Sequence, residues 1–254
     1  MAEATTYLSF REDRYREFFR YGGASELLTN IYRDVYRDDY PEEASPFGFV
    51  TRRDLEWIAD ELRLSAGASL LDVGCGRGGP GMAVAQKLDA RLTGIDIVAE
   101  AVALARQLQK RFRLRFAPVF AQGSFDRTGL PDESMDGVMS VDCFWMVLDK
   151  MAALGEVKRV MMPGAKLAMT TWVPSYLDMK SLLAGASLRL CHQEIAPLWM
   201  ERQLRVYEQI LKNRQELERE LGADAIRVLV SESENAPAHL AETPRMRIVA
   251  ERAS

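Results

Sequence analysis

Three cysteines in 254 residues, Cys75, Cys143 and Cys191, stand far apart with no Cys-x-x-Cys pair among them, and only two histidines accompany them. That scarcity excludes a disulfide framework and a zinc ligand set, and it makes the reducing cytoplasm the expected compartment. No run approaches the ~18 apolar residues of a membrane span. Met1 leads into a polar, acid-containing segment without an apolar signal core, so neither a membrane partner nor export is expected. A basic surplus is missing too, and the net charge of −4 offers no electrostatic footprint for nucleic acid. The densest basic cluster, Arg111, Arg113 and Arg115, alternates with Phe112, Leu114 and Phe116 and reads as a solvated face. Clustered acids or histidines that would suit Mg²⁺ are lacking, so no metal is expected. There is no internal repeat and no low-complexity tract.

What is present is a turn almost free of side chains. Leu70-Leu71-Asp72-Val73 is an apolar strand, and Gly74-Cys75-Gly76-Arg77-Gly78-Gly79-Pro80-Gly81 joins it to a helix through Leu88. Such a backbone permits close approach of a ligand, and Pro80 suits a helix's first turn. The spacing Gly74-x-Gly76-x-x-Gly79, with Asp96 about 20 residues on, satisfies the dinucleotide fingerprint and leaves a nicotinamide cofactor open. Asp72 weighs against it, because a carboxylate at the strand's tip stands in the path of a pyrophosphate and suits a cationic ligand.

The rest of the chain alternates strand and helix. Strands are expected at Ser69–Val73, Arg91–Ile95, Phe116–Ala121, Gly137–Val141, Lys166–Thr171 and Ser187–Gln193, with Met246–Glu251 as a closing edge strand. Helices fall between them, one at Glu100–Phe112 and another at Met151–Val160. Such alternation implies right-handed crossovers and a parallel sheet with ligands at the strands' carboxyl ends. Helices are also expected over Asp13–Tyr21 and Glu26–Tyr36, and Thr51 with Asp54 has the spacing of a helix-capping pair. Pro197–Leu221 reads as one long helix with Leu204, Tyr207, Leu211, Leu217 and Leu221 on its apolar side.

Asp72-x-Gly74-x-Gly76 with Gly94-Ile95-Asp96 resembles the first two motifs of the class I S-adenosylmethionine-dependent methyltransferases, of the small-molecule type found in bacterial specialised metabolism. Ala121-Gln122-Gly123-Ser124-Phe125, the stretch Leu130 to Val138, and Arg159 to Gly164 are similar to further parts of that family, over roughly Thr51 to Trp172. The resemblance implies an α/β, Rossmann-like, doubly wound seven-stranded sheet with the last strand antiparallel, N-terminal helices, and a helical insertion between strands six and seven. Residues 1–50 would form a helical lid, 51–194 with 244–254 the cofactor-binding core, and 195–243 a cap over the substrate site.

It also implies S-adenosylmethionine as cofactor and S-adenosylhomocysteine as product. Asp72 would support the ammonium, Gly74, Cys75 and Gly76 would offer backbone to the methionine moiety, and Asp96 would accept the ribose hydroxyls. Ile97 would pack on the adenine, framed by Gly123, Ser124 and Phe125. Ser124 stands where the family usually has an acid.

Catalytic candidates are Asp142, the one titratable group just beyond the fourth strand, and His192. Tyr15, Phe19, Trp145 and Trp199 are candidates for binding a hydrophobic small molecule. The expected reaction is methyl transfer to a hydroxyl or enol oxygen, or to carbon, of a natural product. A cyclase or pericyclase that keeps the cofactor as a structural element stands beside it, as do a nicotinamide-dependent reductase and a non-catalytic binding subunit. A homodimer stays open.

Overall fold

The computed structural model describes residues 25–45 and 48–253. The helix expected over Asp13–Tyr21, and with it Tyr15 and Phe19, lies outside the described residues. Two compact units divide the chain, residues 1–40 with 198–241 and residues 41–197 with 242–254.

The first unit is helical: α1 (Glu26–Tyr36), then, late in the chain, α7 (Trp199–Lys212), α8 (Arg214–Leu221) and α9 (Ala223–Asn235). Ser25 caps α1 by accepting the Leu28 N–H at 2.9 Å, and its hydroxyl donates to Glu220 on α8 at 2.7 Å. The expected single helix breaks at Asn213, and of its expected apolar side Tyr207, Leu217 and Leu221 are buried. Gln203, Val206, Tyr207 and Ile210 are buried, whereas Leu204 and Leu211 are exposed. Spacings of three and four residues select the buried stripe, and Gln203 is tolerated in it because its amide donates to Tyr207 Oη at 2.7 Å.

The second unit is built on a seven-stranded sheet in the order β3-β2-β1-β4-β5-β7-β6. Its strands are β1 (Ser69–Val73), β2 (Arg91–Asp96), β3 (Val119–Gln122), β4 (Met135–Val141), β5 (Met161–Trp172), β6 (Leu188–Ile195) and β7 (Arg245–Arg252). Only β7 runs antiparallel to the rest. It is not the edge strand that its alternation suggests. β7 sits between β5 and β6, six of its eight residues are buried, and β6 forms the edge.

Flanking helices α2 (Arg52–Leu62), α3 (Gly79–Leu88), α4 (Ala99–Leu108), α5 (Lys150–Val160) and α6 (Met179–Gly185) cover the faces. The strand period of two splits the core accordingly. Leu71 and Val73 of β1 enter one apolar cluster, with Val138, Leu154 and Ile248, and Leu70 enters the other, with Ile58, Met82 and Val249.

Local signals hold at most boundaries. Thr51 and Asp54 form a full capping box at the start of α2. The turn Pro163-Gly164, expected to precede the fifth strand, lies inside β5 as an irregularity: Met135 pairs with Met161 but Gly137 with Lys166, and Gly164 takes φ 78°. Among the described residues no helix is long and apolar enough to cross a membrane.

Candidate functional site at the carboxyl ends of β1, β2 and β4

The break in strand order between β2-β1 and β4 puts the bare turn at the switch point where open α/β sheets bind ligands. Gly74 takes φ 74°, and a Cβ there would fall 2.2 Å from Cys143 Sγ, so both its conformation and the packing of the β4 tip demand glycine. The N–H groups of Gly74 and Cys75 both donate to the Ile95 carbonyl at 2.9 Å, that of Gly76 to Asp96 Oδ2 at 2.8 Å, and that of Gly78 to the Cys75 carbonyl at 2.8 Å. A pyrophosphate-binding turn aims such amides at its anion. Here they are spent inside the protein.

The charge of the site is negative. Asp72 is 1% exposed and neither of its oxygens has a hydrogen-bond partner. Burial, and then repulsion from Asp96, push its pKa up to about 7, with only partial relief from the Gly81 amide at the start of α3. Burial raises the pKa of Asp96 as well, opposed by the Val98 and Gly76 amides on its two oxygens. Two neighbouring carboxylates, one of them unsatisfied, leave the charge of the site unbalanced.

That imbalance fits the ammonium and sulfonium of S-adenosylmethionine and does not fit a pyrophosphate. Ile97 is exposed beside Asp96, as a residue packing on a ligand's ring would be. The Gly123 N–H donates to the Asp96 carbonyl at 3.0 Å, and Ser124 Oγ donates to Asp126 Oδ1 at 2.5 Å. An acid therefore stands beside Ser124 after all, two residues later than the family pattern places it.

Other candidates are placed differently. The Cys75 side chain is buried, 3.1 Å from where a Cβ on Gly94 would lie, so only its backbone belongs to the turn. Phe125 is core: it is 7% exposed and packs edge-on against Phe144 at 5.8 Å. Its ring belongs to the apolar cluster under the site, and its Cε2 comes within 3.6 Å of where a Cβ on Gly74 would lie. Trp199 is buried within the helical unit.

His192 does not reach the site. Asp72, Met139, Ala168, Val249 and His192 lie in one row across five strands, so at ~4.8 Å per step His192 is on the order of 19 Å from Asp72. It sits on the edge strand beside Trp57, with its ring centroid 6.2 Å from the indole.

Asp142 is at the tip of β4, and it is occupied. Arg245 Nε and Nη2 donate to its two oxygens at 2.9 and 3.1 Å, and Thr170 Oγ1 donates to Oδ1 at 2.8 Å. Burial raises its pKa and Arg245 pulls it back. A carboxylate with three donors has little capacity left for a substrate proton.

The network extends to Asp54 of the capping pair through Arg245 and Arg247, which the sequence did not single out. Arg245 Nη1 donates to Asp54 Oδ2 at 2.9 Å, Arg247 Nε to Asp54 Oδ1 at 2.8 Å, and Arg247 Nη1 to Glu194 at 3.2 Å. Two arginines two residues apart in an apolar strand share one face, a signal that was available in Arg245-Met246-Arg247.

Trp145, 40% exposed, donates its indole N–H to the Asp142 carbonyl at 3.0 Å and meets Trp172 edge-on at 5.9 Å, while Trp172 meets Phe49 at 5.7 Å. These three rings make an aromatic wall at the ends of β4 and β5.

Upstream, the chain is fastened to the turn. A Cβ on Gly79 would lie 1.7 Å from the Ala44 carbonyl oxygen, and Arg77 Nη2 donates to the carbonyl and hydroxyl of Ser45 at 2.9 and 3.0 Å.

Residues 71–169 match the family model described as a methyltransferase domain. The chain is 30% identical over 157 residues to the methyltransferase GfsG of Streptomyces halstedii, and 27% identical over 150 residues to the 27-O-demethylrifamycin SV methyltransferase of Amycolatopsis mediterranei. Each match covers 59% of this chain and 55% of the relative, so the chain spans about half the length of these curated relatives. Among solved structures, the [4+2]-cyclase SpnF superposes with a TM-score of 0.69 at 21% identity, covering 79% of this chain and 80% of that one. At that identity the likeness establishes the fold.

Proposed function

We propose that this chain is a class I S-adenosylmethionine-dependent methyltransferase that takes S-adenosylmethionine as its cofactor and methylates a hydroxyl or enol oxygen, or a carbon, of a hydrophobic small-molecule natural product. The observation that carries the reading is Asp72, a buried carboxylate with no well-formed hydrogen bond, beside a glycine turn whose amides at Gly74, Cys75, Gly76 and Gly78 are already used. Asp72 would support the ammonium, Gly74 and Gly76 the methionine backbone, Asp96 the ribose hydroxyls, and Ile97 with Ser124 the adenine.

When bound, the cofactor supplies a methyl group already activated on a sulfonium. The protein's own work is then to exclude water, hold charge and align the acceptor. Phe49, Trp172 and Trp145 supply an apolar, rigid surface for the acceptor. Asp142 orients, through its backbone, the indole that lines that surface. With its carboxylate committed to Arg245, the acceptor's proton passes to solvent rather than to Asp142. The three free thiols agree with a cytoplasmic enzyme.

A second reading, a cyclase on the same fold, is favoured by one observation: Asp142 and His192 are respectively engaged and remote, so neither acts as the base that a hydroxyl acceptor would use. Incubation with methyl-labelled S-adenosylmethionine and a panel of apolar phenols, enols and macrolides separates the two. Label in the acceptor supports methyl transfer, and rearranged acceptor without label overturns it. Calorimetry with S-adenosylhomocysteine and NADH tests the cofactor, and binding of NADH alone would sink the whole reading.

A further inference from the structure

Two costly features coincide at Asp142. Its backbone is left-handed at φ 53°, unusual for a residue with a side chain, and its carboxylate, 13% exposed, is paired with an arginine that is itself 2% exposed, Arg245. Buried ion pairs seldom stabilise a fold more than apolar packing would, so this one is better explained by what it holds in place.

Two of the three residues after Asp142 carry the contacts of β4's tip with the rest of the site. Cys143 packs against Gly74 of the bare turn, its Sγ occupying the space that a Cβ on Gly74 would need. Trp145 hangs from the Asp142 carbonyl. A change in the Asp142 backbone therefore moves the floor of the turn and the aromatic wall together. Arg245 is well built to prevent it. One edge of its guanidinium takes both Asp142 oxygens, Nη1 is tied to Asp54 in the capping box of α2, and its centre lies 5.9 Å from the Trp172 ring.

We propose that Arg245 is a positioning residue: by clamping Asp142 in its left-handed conformation, it sets where the β4 tip places Cys143 against the Gly74 turn and Trp145 at the acceptor edge. The inference rests on the methyltransferase reading only for the ligand used to read it.

The test compares Asp142→Ala, Asp142→Gly and Arg245→Lys. Both Asp142 variants remove the carboxylate, but glycine takes positive φ without a clamp and alanine does not. Two readouts are taken: the Trp145 indole N–H resonance, assigned with Trp145→Phe, and the dissociation constant of S-adenosylhomocysteine.

Asp142→Ala is expected to displace the resonance and weaken binding about tenfold, and Arg245→Lys, which keeps the charge but loses the fork, about threefold. Asp142→Gly is expected to restore the resonance and recover most of the affinity. An Asp142→Gly as impaired as Asp142→Ala would overturn the proposal, because the carboxylate itself would then be what matters. Native resonances in both Asp142→Ala and Arg245→Lys would overturn it too. Wild-type protein that ignores S-adenosylhomocysteine sinks the methyltransferase reading instead, while the resonances still decide the clamp.

Discussion

Asp72 with Asp96, and Asp54 with Asp142, are both pairs of acids largely withdrawn from solvent in the same unit, yet they are treated in opposite ways. The second pair is saturated by Arg245, Arg247, Thr170 and the Thr51 amide, and the pKa of Asp54, despite its burial, ends below the usual carboxylate range under the pull of the two arginines. The first pair has well-formed backbone hydrogen bonds on Asp96 alone, and Asp72 has only the partial relief of the Gly81 amide. Burying a charge is tolerable when its partner is built in and is otherwise a standing cost. A carboxylate left short in a protein that satisfies its others so fully marks where the partner arrives from outside.

That contrast can be broken at several points. The largest effect is expected on the saturated side: Arg245→Met takes one of two arginines from the buried Asp54 and the arginine from Asp142, and should cost about 3–5 kcal/mol in urea unfolding. Little loss would mean that the network is ornamental. On the unsaturated side the sign reverses. Asp72→Asn should weaken S-adenosylmethionine binding about 30- to 100-fold, roughly 2–3 kcal/mol, while making the free protein more stable at pH 8. Loss of both stability and affinity would refute the assignment.

The next effect is in pH. Below about pH 7 Asp72 holds a proton that a bound cation must displace, so affinity should fall about tenfold per unit as pH drops below 7 and stay level above it. Asn at position 72 should abolish that slope. Folding raises this pKa from 3.8, so by itself Asp72 makes the free protein less stable as pH climbs from about 4 to 7. Asp54, lowered on folding, works the other way, and its contribution is present above about pH 4 and lost as pH falls further. Melting temperatures of Asp72→Asn and wild type across that window read the difference. The smallest effect is at the helix cap: Thr51→Ala should cost about 1 kcal/mol and leave ligand affinity within about twofold, because the arginines still hold Asp54.

The two carboxylate pairs also differ in how far the sequence reveals them. Asp72, Gly74, Gly76 and Asp96 are legible because their meaning is local: a bare turn between strand and helix, and an acid at the end of the next strand. Thr51 and Asp54 are legible as a cap for the same reason. Arg245 is only half legible: its spacing to Arg247 in an apolar strand marks a charged face, but its partners lie 103 and 191 residues away and nothing within the strand names them.

Strand order hides the place of β7 equally well. Alternation shows that Met246–Glu251 is a strand but cannot say that β6 will close over its outer side. Phe125 and Asn213 are subtler cases. An aromatic after a strand fits a ligand or a core equally, and a helix with charged residues throughout its second half gives little sign of where it will break.

The contact of Gly79 with the Ala44 carbonyl, together with the grip of Arg77 on Ser45, has a practical consequence for anyone recombining this protein. The ribbon from Pro41 to Ser45 is stitched to the donor turn, so the two must be inherited as a piece. A chimera that imports a foreign leading segment should be spliced before Pro41. One spliced between Ser45 and Thr51 would unpick the seam, and it would lose donor binding while every strand of the sheet remained in place.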